Sequence, residues 1–191
     1  MRRLLELLDA DWARLSALAG SPARPRRFLH SFSSRFAPVV FIRLAQCLHS
    51  AGWSRLAKLS ALFNFVLFGI EVPPRMPIGP GLVLMHTQGT VLGASSIGSD
   101  VTIYHQVTLG ARYLDFAYLL SQRPVIEDNV VISAGAKVLG GLTLGRGCVV
   151  GANAVVLKDV PPEYLAVGVP ARNKPTKMVR SSTTTIEHKH V

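Results

Sequence analysis

Cysteines, acidic residues and long apolar runs are all scarce in this chain of 191 residues, and each shortage excludes a class of protein. Cys47 and Cys148 lie far apart with no metal-type spacing, so we expect two buried thiols, no metal site and no disulfide scaffold. The most apolar stretch, residues 59–72, is shorter than the roughly 20 residues that cross a bilayer, and it contains Asn64 and Glu71. Acids interrupt the first residues too early for a secretory signal, so a cytoplasmic location is expected.

The few acids are unevenly placed, so most of the net charge of +10 lies in the first third of the chain. Residues 1–67 hold ten Lys or Arg against three acids. A basic balance of this kind suits nucleic acid, an anionic membrane or an anionic ligand. No recognised nucleic-acid-binding motif accompanies it, so no nucleic-acid partner is predicted.

The first third also has the apolar spacing of helices. Apolar residues recur near helical spacing over residues 4–18, 39–48 and 56–68, and Gly69 ends the last segment. We therefore predict a small α-helical region over residues 1–69. Its arginines, beside apolar helices, leave two interpretations open. The region either touches an anionic membrane surface, which would place the protein at the inner face of the membrane, or packs on the rest of the chain.

Beyond residue 73, an aliphatic residue returns every six positions. The period is unbroken at six successive positions: Ile126, Ile132, Val138, Leu144, Val150 and Val156. Upstream the same series has one slip of a single residue, before Val91: Ile78, Leu84, Val91, Ile97, Ile103 and Leu109. Six residues do not match the 3.6-residue turn of an α-helix, so the period indicates a short strand plus a corner. Three such units close a triangular coil, and stacked coils form a mainly β parallel β-helix.

Two segments depart from the period. Residues 111–123 are rich in aromatics and leucine and predict an extruded loop between two coils. Pro161 and Pro162 end the strand ladder, because proline cannot donate to it. We thus expect a β-helix domain over residues 70–172 and a flexible tail over residues 173–191.

Four segments carry a resemblance to a known family: IGPGLVLMH (78–86), SIGSDVTIYHQVTLG (96–110), VVISAGAKVLGGLTLGRGCVVGANAVVLKDVPP (130–162) and AVGVPAR (166–172). Over residues 70–172 the chain resembles the serine acetyltransferase-like branch of the hexapeptide-repeat acyltransferases. The resemblance implies a left-handed parallel β-helix, a homotrimer, active sites between subunits and acetyl-CoA as co-substrate. The left hand comes from the family alone, because crossovers between parallel strands are otherwise right-handed.

The resemblance also assigns catalytic roles to two residues. It implies that His86 is the general base and that Glu71, fifteen residues earlier, is its carboxylate partner. The chemistry is sound, because an alcohol is a poor nucleophile until a neutral imidazole takes its proton. A carboxylate would fix the imidazole tautomer and stabilise its charged form. The alternative is that His86 only fills a corner.

The remaining site residues follow from the same motifs. Five cofactor-binding residues are implied: Gly110, Ala111, Ala134, Ala152 and Arg172. The alanines would let pantetheine lie against the coil, and Arg172 would bind CoA phosphates. His105 and Arg123 are the candidate substrate-binding residues, with a structural role for His105 left open.

Departures from the family concern the acceptor. Met85, Ala94 and Gln122 stand where serine acetyltransferases carry charged groups that would hold an amino acid. Related shortened members of the family act in the making of surface polysaccharides, so the resemblance implies an O-acetyltransferase acting on a hydroxyl of a sugar or surface-polysaccharide precursor. The alternatives are a divergent serine O-acetyltransferase and a non-catalytic trimeric scaffold.

Overall fold

A computed structural model of the chain describes residues 2–21 and 25–175. The first part contains three α-helices, α1 (Arg2–Leu18), α2 (Ala37–Ser50) and α3 (Ser54–Phe68), and a 3-10 turn at Phe28–Phe32. Gly69 ends α3 in a left-handed conformation, and its N–H donates to the carbonyl of Phe65. Within the described ranges, no helix has the length and apolar character that crossing a membrane requires.

Short strands occupy the rest of the described chain. Their bounds are β1 (Ile70–Glu71), β2 (Val83–Met85), β3 (Thr90–Leu92), β4 (Ser96–Ile97), β5 (Thr102–Tyr104), β6 (Thr108–Gly110), β7 (Val125–Ile126), β8 (Val131–Ile132), β9 (Lys137–Leu139), β10 (Thr143–Leu144), β11 (Val149–Val150), β12 (Val155–Val156), β13 (Tyr164–Gly168) and β14 (Ala171–Pro175). The first residues of the predicted tail thus belong to β14, and residues 176–191 lie outside the described part.

Three sheets are built from these strands. Sheet I has the order β2-β5-β8-β11-β13-β14, sheet II the order β1-β3-β6-β9-β12, and sheet III the order β4-β7-β10. All pairings are parallel except the one between β13 and β14. From β2 to β12, successive strands join sheets I, II and III in turn, so each complete coil in this range contributes one strand to every sheet. The result is a three-sided parallel β-helix.

The six-residue period forms the core of this β-helix. Leu84, Ile103, Ile132 and Val150 stand in register on successive strands of sheet I. Each is at most 2% exposed. The small or aliphatic residues that follow by four positions are buried as well: Val101, Val107, Val130, Ala136, Leu142, Cys148, Ala154 and Val160. Repeated burial of aligned aliphatics is the main stabilising term of such a stack.

The irregular corner differs from its prediction. Leu92, not Val91, occupies the inward position of β3, where it pairs with Leu109 and is fully buried. The interval from Leu84 to the next inward residue is therefore eight residues rather than seven. Eight residues separate the inward residues Leu84 and Leu92 of β2 and β3, whereas six separate Ile103 and Leu109 of β5 and β6, so the first corner is two residues longer. His86 lies on this lengthened corner.

A buried ion pair fastens the helices to the first coil. The side chains of Arg43 on α2 and Asp11 on α1 are both 0% exposed, with Nε to Oδ2 at 2.8 Å. Arg43 also donates to the carbonyl of Ile78 at 2.8 Å, and Asp11 accepts from the backbone N–H of Leu82 at 2.8 Å. Helix residues such as Leu8, Val39 and Ile42 join the same apolar core as the coil.

Candidate functional site

One edge of the β-helix, between sheets I and II, collects the predicted site residues of four successive coils. We call it the histidine edge, and it carries His86, His105, Ala134 and Ala152. His86 and His105 each follow the last residue of a paired strand. Gly135 N–H donates to the carbonyl of His105 at 3.0 Å, and Asn153 N–H donates to that of Ala134 at 2.9 Å. These bonds hold the corners in register along the coil axis.

The lengthened corner presents His86 to solvent. Its φ is +66°, a left-handed conformation that is uncommon for a residue other than glycine. Such a backbone conformation costs free energy and clusters at functional sites. The imidazole of His86 is exposed, and its ring centroid lies 5.9 Å from that of His105 with the planes at 82°. Nδ1 of His105 is buried and has no hydrogen-bond partner among the described residues.

Glu71 lies on β1, at the start of sheet II. It pairs with Val91 and is exposed on the outer face of the sheet. No hydrogen bond or ion pair joins Glu71 to His86 in the part of the chain that the structure describes. The structure thus places both residues on the first coil without the predicted contact between them, and the pairing stays a prediction.

Gly110 and Ala111 lie on the other edge of sheet II, where the inserted loop begins. Gly110 ends β6, and a Cβ added to it would meet nothing within 4 Å. A cleft of 240 Å³ opens beside it, lined by loop and coil residues: Arg112, Tyr113, Gln122, Leu139, Gly140 and Gly141. Arg112 Nη2 donates to the carbonyl of Leu157 at 2.8 Å and holds the loop to the coil. We call this side of sheet II the loop edge.

The end of the loop encloses Arg123. Its guanidinium lies 3.1 Å from the carboxylate of Asp115 and donates to the carbonyl of Gly93 at 3.0 Å. The guanidinium groups of Arg123 and Arg75 both lie over the ring of Tyr118, at 3.5 and 4.2 Å from its centroid. Burial raises the pKa of Tyr118, outweighing the two guanidinium groups, which lower it. The sequence pattern located this loop, but it missed Asp115, Tyr118 and Arg75.

Arg172 lies on β14, at the far end of sheet I. It pairs with Val167 of β13 and is exposed. Five strand spacings separate its strand from β2, or about 24 Å along the coil axis. Arg172 therefore stands at the opposite end of the coil from His86, past Ala152. Within the described ranges, no three His, Cys, Asp or Glu side chains lie close enough to hold a metal ion.

Comparison with known proteins identifies the repeat. Residues 123–158 match the family described as bacterial transferase hexapeptide (six repeats). A serine acetyltransferase of Helicobacter pylori is 44% identical over 132 residues, which are 68% of this chain and 75% of that protein. One of Mycobacterium tuberculosis is 42% identical over 131 residues, which are 68% of this chain but 56% of that protein. The chain thus spans little more than half the length of the latter.

A solved structure extends the similarity to the whole fold. The serine acetyltransferase of Brucella abortus strain S19 in complex with coenzyme A superposes with a TM-score of 0.74 at 32% identity. The match covers 88% of this chain and 66% of that one. The expected mainly β fold, a left-handed parallel β-helix preceded by helices, is confirmed.

These relatives overturn the predicted acceptor. The expected transfer to a sugar or surface-polysaccharide hydroxyl is wrong, because the matched relatives are serine acetyltransferases at 42% and 44% identity. The prediction depended on charges missing at Met85, Ala94 and Gln122. The structure places two arginines near Ala94, because Tyr118 donates to the carbonyl of Ala94 at 3.2 Å and the guanidinium groups of Arg75 and Arg123 lie over its ring. By its coil and its relatives, this chain belongs to the serine acetyltransferase family of hexapeptide-repeat transferases.

Proposed function

We propose that the protein is an acetyl-CoA-dependent serine O-acetyltransferase with His86 as its general base. The observation that supports this most is the place of His86, exposed at a strained corner and continuous with the small residues of the histidine edge. A residue that served only to fill the corner would gain nothing from that exposure. The proposed acceptor, serine, and the proposed acetyl donor, acetyl-CoA, rest on the similarity of the chain to serine acetyltransferases.

The reaction needs one proton carrier. The imidazole of His86 takes the proton of the serine hydroxyl as the oxygen attacks the thioester carbonyl carbon. The C–S bond then breaks, the acetyl group stays on the serine oxygen, and CoA leaves as a thiolate. The imidazolium returns its proton to that thiolate. Glu71 is assigned to stabilise the imidazolium once the substrates are bound.

The substrates are assigned to both edges of sheet II. Ala134 and Ala152 leave room for the pantetheine arm along the histidine edge, and Arg172 at its end suits the CoA phosphates. Gly110 and Ala111, beside the cleft of the loop edge, complete the cofactor set. The serine carboxylate is assigned to the guanidinium groups that flank Tyr118, of which Arg75 is exposed and Arg123 is paired with Asp115. The role of His105, beside His86, is to line the acceptor site.

A single chain holds these two edges apart, on opposite sides of sheet II. We propose a homotrimer in which the histidine edge of one subunit faces the loop edge of the next, since a head-to-tail contact of this kind closes into a ring. Each active site would then take residues from two neighbouring subunits. Light scattering on the purified protein tests the assembly, and a monomer with full activity contradicts it.

The decisive experiment measures thiol release from acetyl-CoA in the presence of L-serine. We expect serine-dependent turnover in the unchanged protein and a loss of about 10²- to 10⁴-fold in kcat for His86→Ala. His49→Ala is the matched control, because His49 is exposed near the end of α2 and is not among the assigned site residues. Wild-type turnover in His86→Ala refutes the base. No turnover with serine in the unchanged protein refutes the acceptor.

A further inference from the structure

The outward surface of α3 is strongly apolar. Seven large hydrophobic side chains on this one helix are between 42% and 68% exposed: Leu56, Leu59, Leu62, Phe63, Phe65, Val66 and Leu67. We call this surface the α3 face. Contiguous exposed apolar surface of this kind marks an interaction site in soluble proteins.

The buried side of α3 is made of small and polar residues. Ala57, Ser60 and Asn64 are its buried positions. Ser60 Oγ donates to the carbonyl of Phe41 at 3.0 Å, and Asn64 Nδ2 donates to that of Pro38 at 3.1 Å. This is the reverse of an ordinary surface helix, which buries its apolar stripe and exposes its polar one. The large apolar residues of α3 are therefore available to something outside this chain's own fold.

The charged side chains of α2 and α3 are all basic. No Asp or Glu lies between Asp11 and Glu71, so α2 and α3 carry no acidic side chain. Arg55 and Lys58 are exposed in the first turns of α3, and no acid of the described residues pairs with them. Other arginines of the helical region are paired with acids, as Arg43 is with Asp11 and Arg26 with Asp9.

Either a second copy of the chain or an anionic lipid bilayer could cover the α3 face, and the charge of the face distinguishes between them. A second copy of the chain would present the same basic, apolar surface, so like charges would meet. An anionic bilayer complements both properties, because basic residues are attracted to its headgroups while apolar side chains enter the acyl boundary. Trp53, 62% exposed just before α3, is of the type enriched at membrane interfaces.

We propose that the α3 face binds the surface of an anionic lipid bilayer, with α3 lying flat in the interface. The helix has 15 residues and is about 22 Å long, too short to span the bilayer. The proposal is independent of the acetyl-transfer reaction, because α3 contributes none of the assigned site residues. It places the enzyme at a membrane as a peripheral protein.

Co-sedimentation of the full chain with vesicles tests the proposal. We expect binding to vesicles of phosphatidylcholine with phosphatidylglycerol, little binding to phosphatidylcholine alone, and release as salt rises. The combined variant Leu59→Gln, Leu62→Gln and Val66→Gln should bind about a hundredfold more weakly, because apolar area no longer leaves water. The double variant Arg55→Gln and Lys58→Gln should bind anionic vesicles roughly 30-fold more weakly than the unchanged protein, and only at low salt.

The matched control is the pair Leu5→Gln and Leu18→Gln, which removes leucines 49% and 51% exposed on α1. It should bind vesicles as the unchanged protein does. Circular dichroism checks that every variant is folded, and light scattering measures its assembly. The proposal is overturned if the unchanged protein ignores anionic vesicles at low salt, or if the triple variant binds them equally well. The triple variant could instead form a smaller assembly and bind vesicles as the unchanged protein does. That result would make the α3 face a contact between copies of the chain, and the proposal would also be overturned.

Discussion

Replacing Asp11 by alanine tests the buried ion pair that joins the helical region to the coil. Asp11 binds Arg43 through both carboxylate oxygens, at 2.8 and 2.9 Å, and neither side chain is exposed. In Asp11→Ala the guanidinium keeps its bonds to the carbonyls of Ile78 and Gly79 but stays charged and buried without a counter-ion. Breaking one side of a buried pair costs about 3–5 kcal/mol. The N–H of Leu82 also loses its acceptor.

Tryptophan fluorescence isolates this effect. Both tryptophans of the chain, Trp12 and Trp53, belong to the helical region, whereas the β signal of circular dichroism follows the coil. At about 2–4 °C per kcal/mol for a chain of this size, the fluorescence midpoint should fall by roughly 6–20 °C. The coil signal should move less, because each coil is stabilised mainly by its neighbours.

Asp9→Ala is the matched control for this experiment. Asp9 pairs with Arg26 at 2.9 Å, but its side chain is 61% exposed, and pairs of that kind contribute less than about 1 kcal/mol. Equal shifts of the fluorescence midpoint in Asp9→Ala and Asp11→Ala would show that burial of the pair has no special weight. A double variant, Asp11→Leu with Arg43→Met, should recover most of the lost stability, because it removes the stranded charge.

Three further outcomes follow from the site and the core. Cys148 is buried, but Cys47 is only partly buried, contrary to the expectation of two buried thiols. Burial raises the pKa of Cys148 to about 12, so at pH 8 iodoacetamide should label Cys47 alone until the protein is denatured, as mass spectrometry would show. Arg172→Gln should raise KM for acetyl-CoA severalfold with kcat unchanged, and a fall in kcat alone would remove the phosphate assignment. Glu71→Gln should lower kcat less than His86→Ala, and an equal loss would indicate direct contact with the acceptor.

The coil could be predicted from the sequence because its rule is local. Each step of six residues brings an inward-pointing aliphatic residue to the next side of the three-sided coil, so spacing alone predicts which positions are buried and which strands align. Ile132 and Val150 illustrate this, since their 18-residue separation is one complete coil and the structure pairs them. The histidine edge follows from the same rule, which stacks Ala134 beneath Ala152.

Contacts outside the repeat could not be predicted in this way. Val91 and Leu92 are both aliphatic, so spacing cannot decide which one enters the core of the lengthened corner. Arg43 and Asp11 lie 32 positions apart, and nothing periodic relates them. The contacts of Arg123 depend on how the inserted loop folds back, which its composition does not specify. Composition detected the apolar character of α3 but did not show which face it turns outward.

The lengthened corner itself permits a last test, of how His86 is held. Thr87 follows it, is 9% exposed, and donates through Oγ1 to the carbonyl of Phe68 at 2.7 Å. The N–H groups of Gly89 and Thr90 donate to the next carbonyl, that of Gly69, at 3.0 and 3.3 Å. The end of α3 therefore anchors the corner that carries the base.

Thr87→Val keeps the shape of the side chain but removes its donor, so the carbonyl of Phe68 loses its partner at a cost of about 1–3 kcal/mol. If the loss misplaces His86 and raises the activation free energy by about 1.4 kcal/mol, kcat falls about tenfold. KM for acetyl-CoA should be unchanged, because the alanines of the histidine edge lie on other coils. Thr87→Ser keeps the hydroxyl and should restore kcat. Wild-type kcat in Thr87→Val would mean that the backbone bonds to Gly69 hold His86 without the side chain.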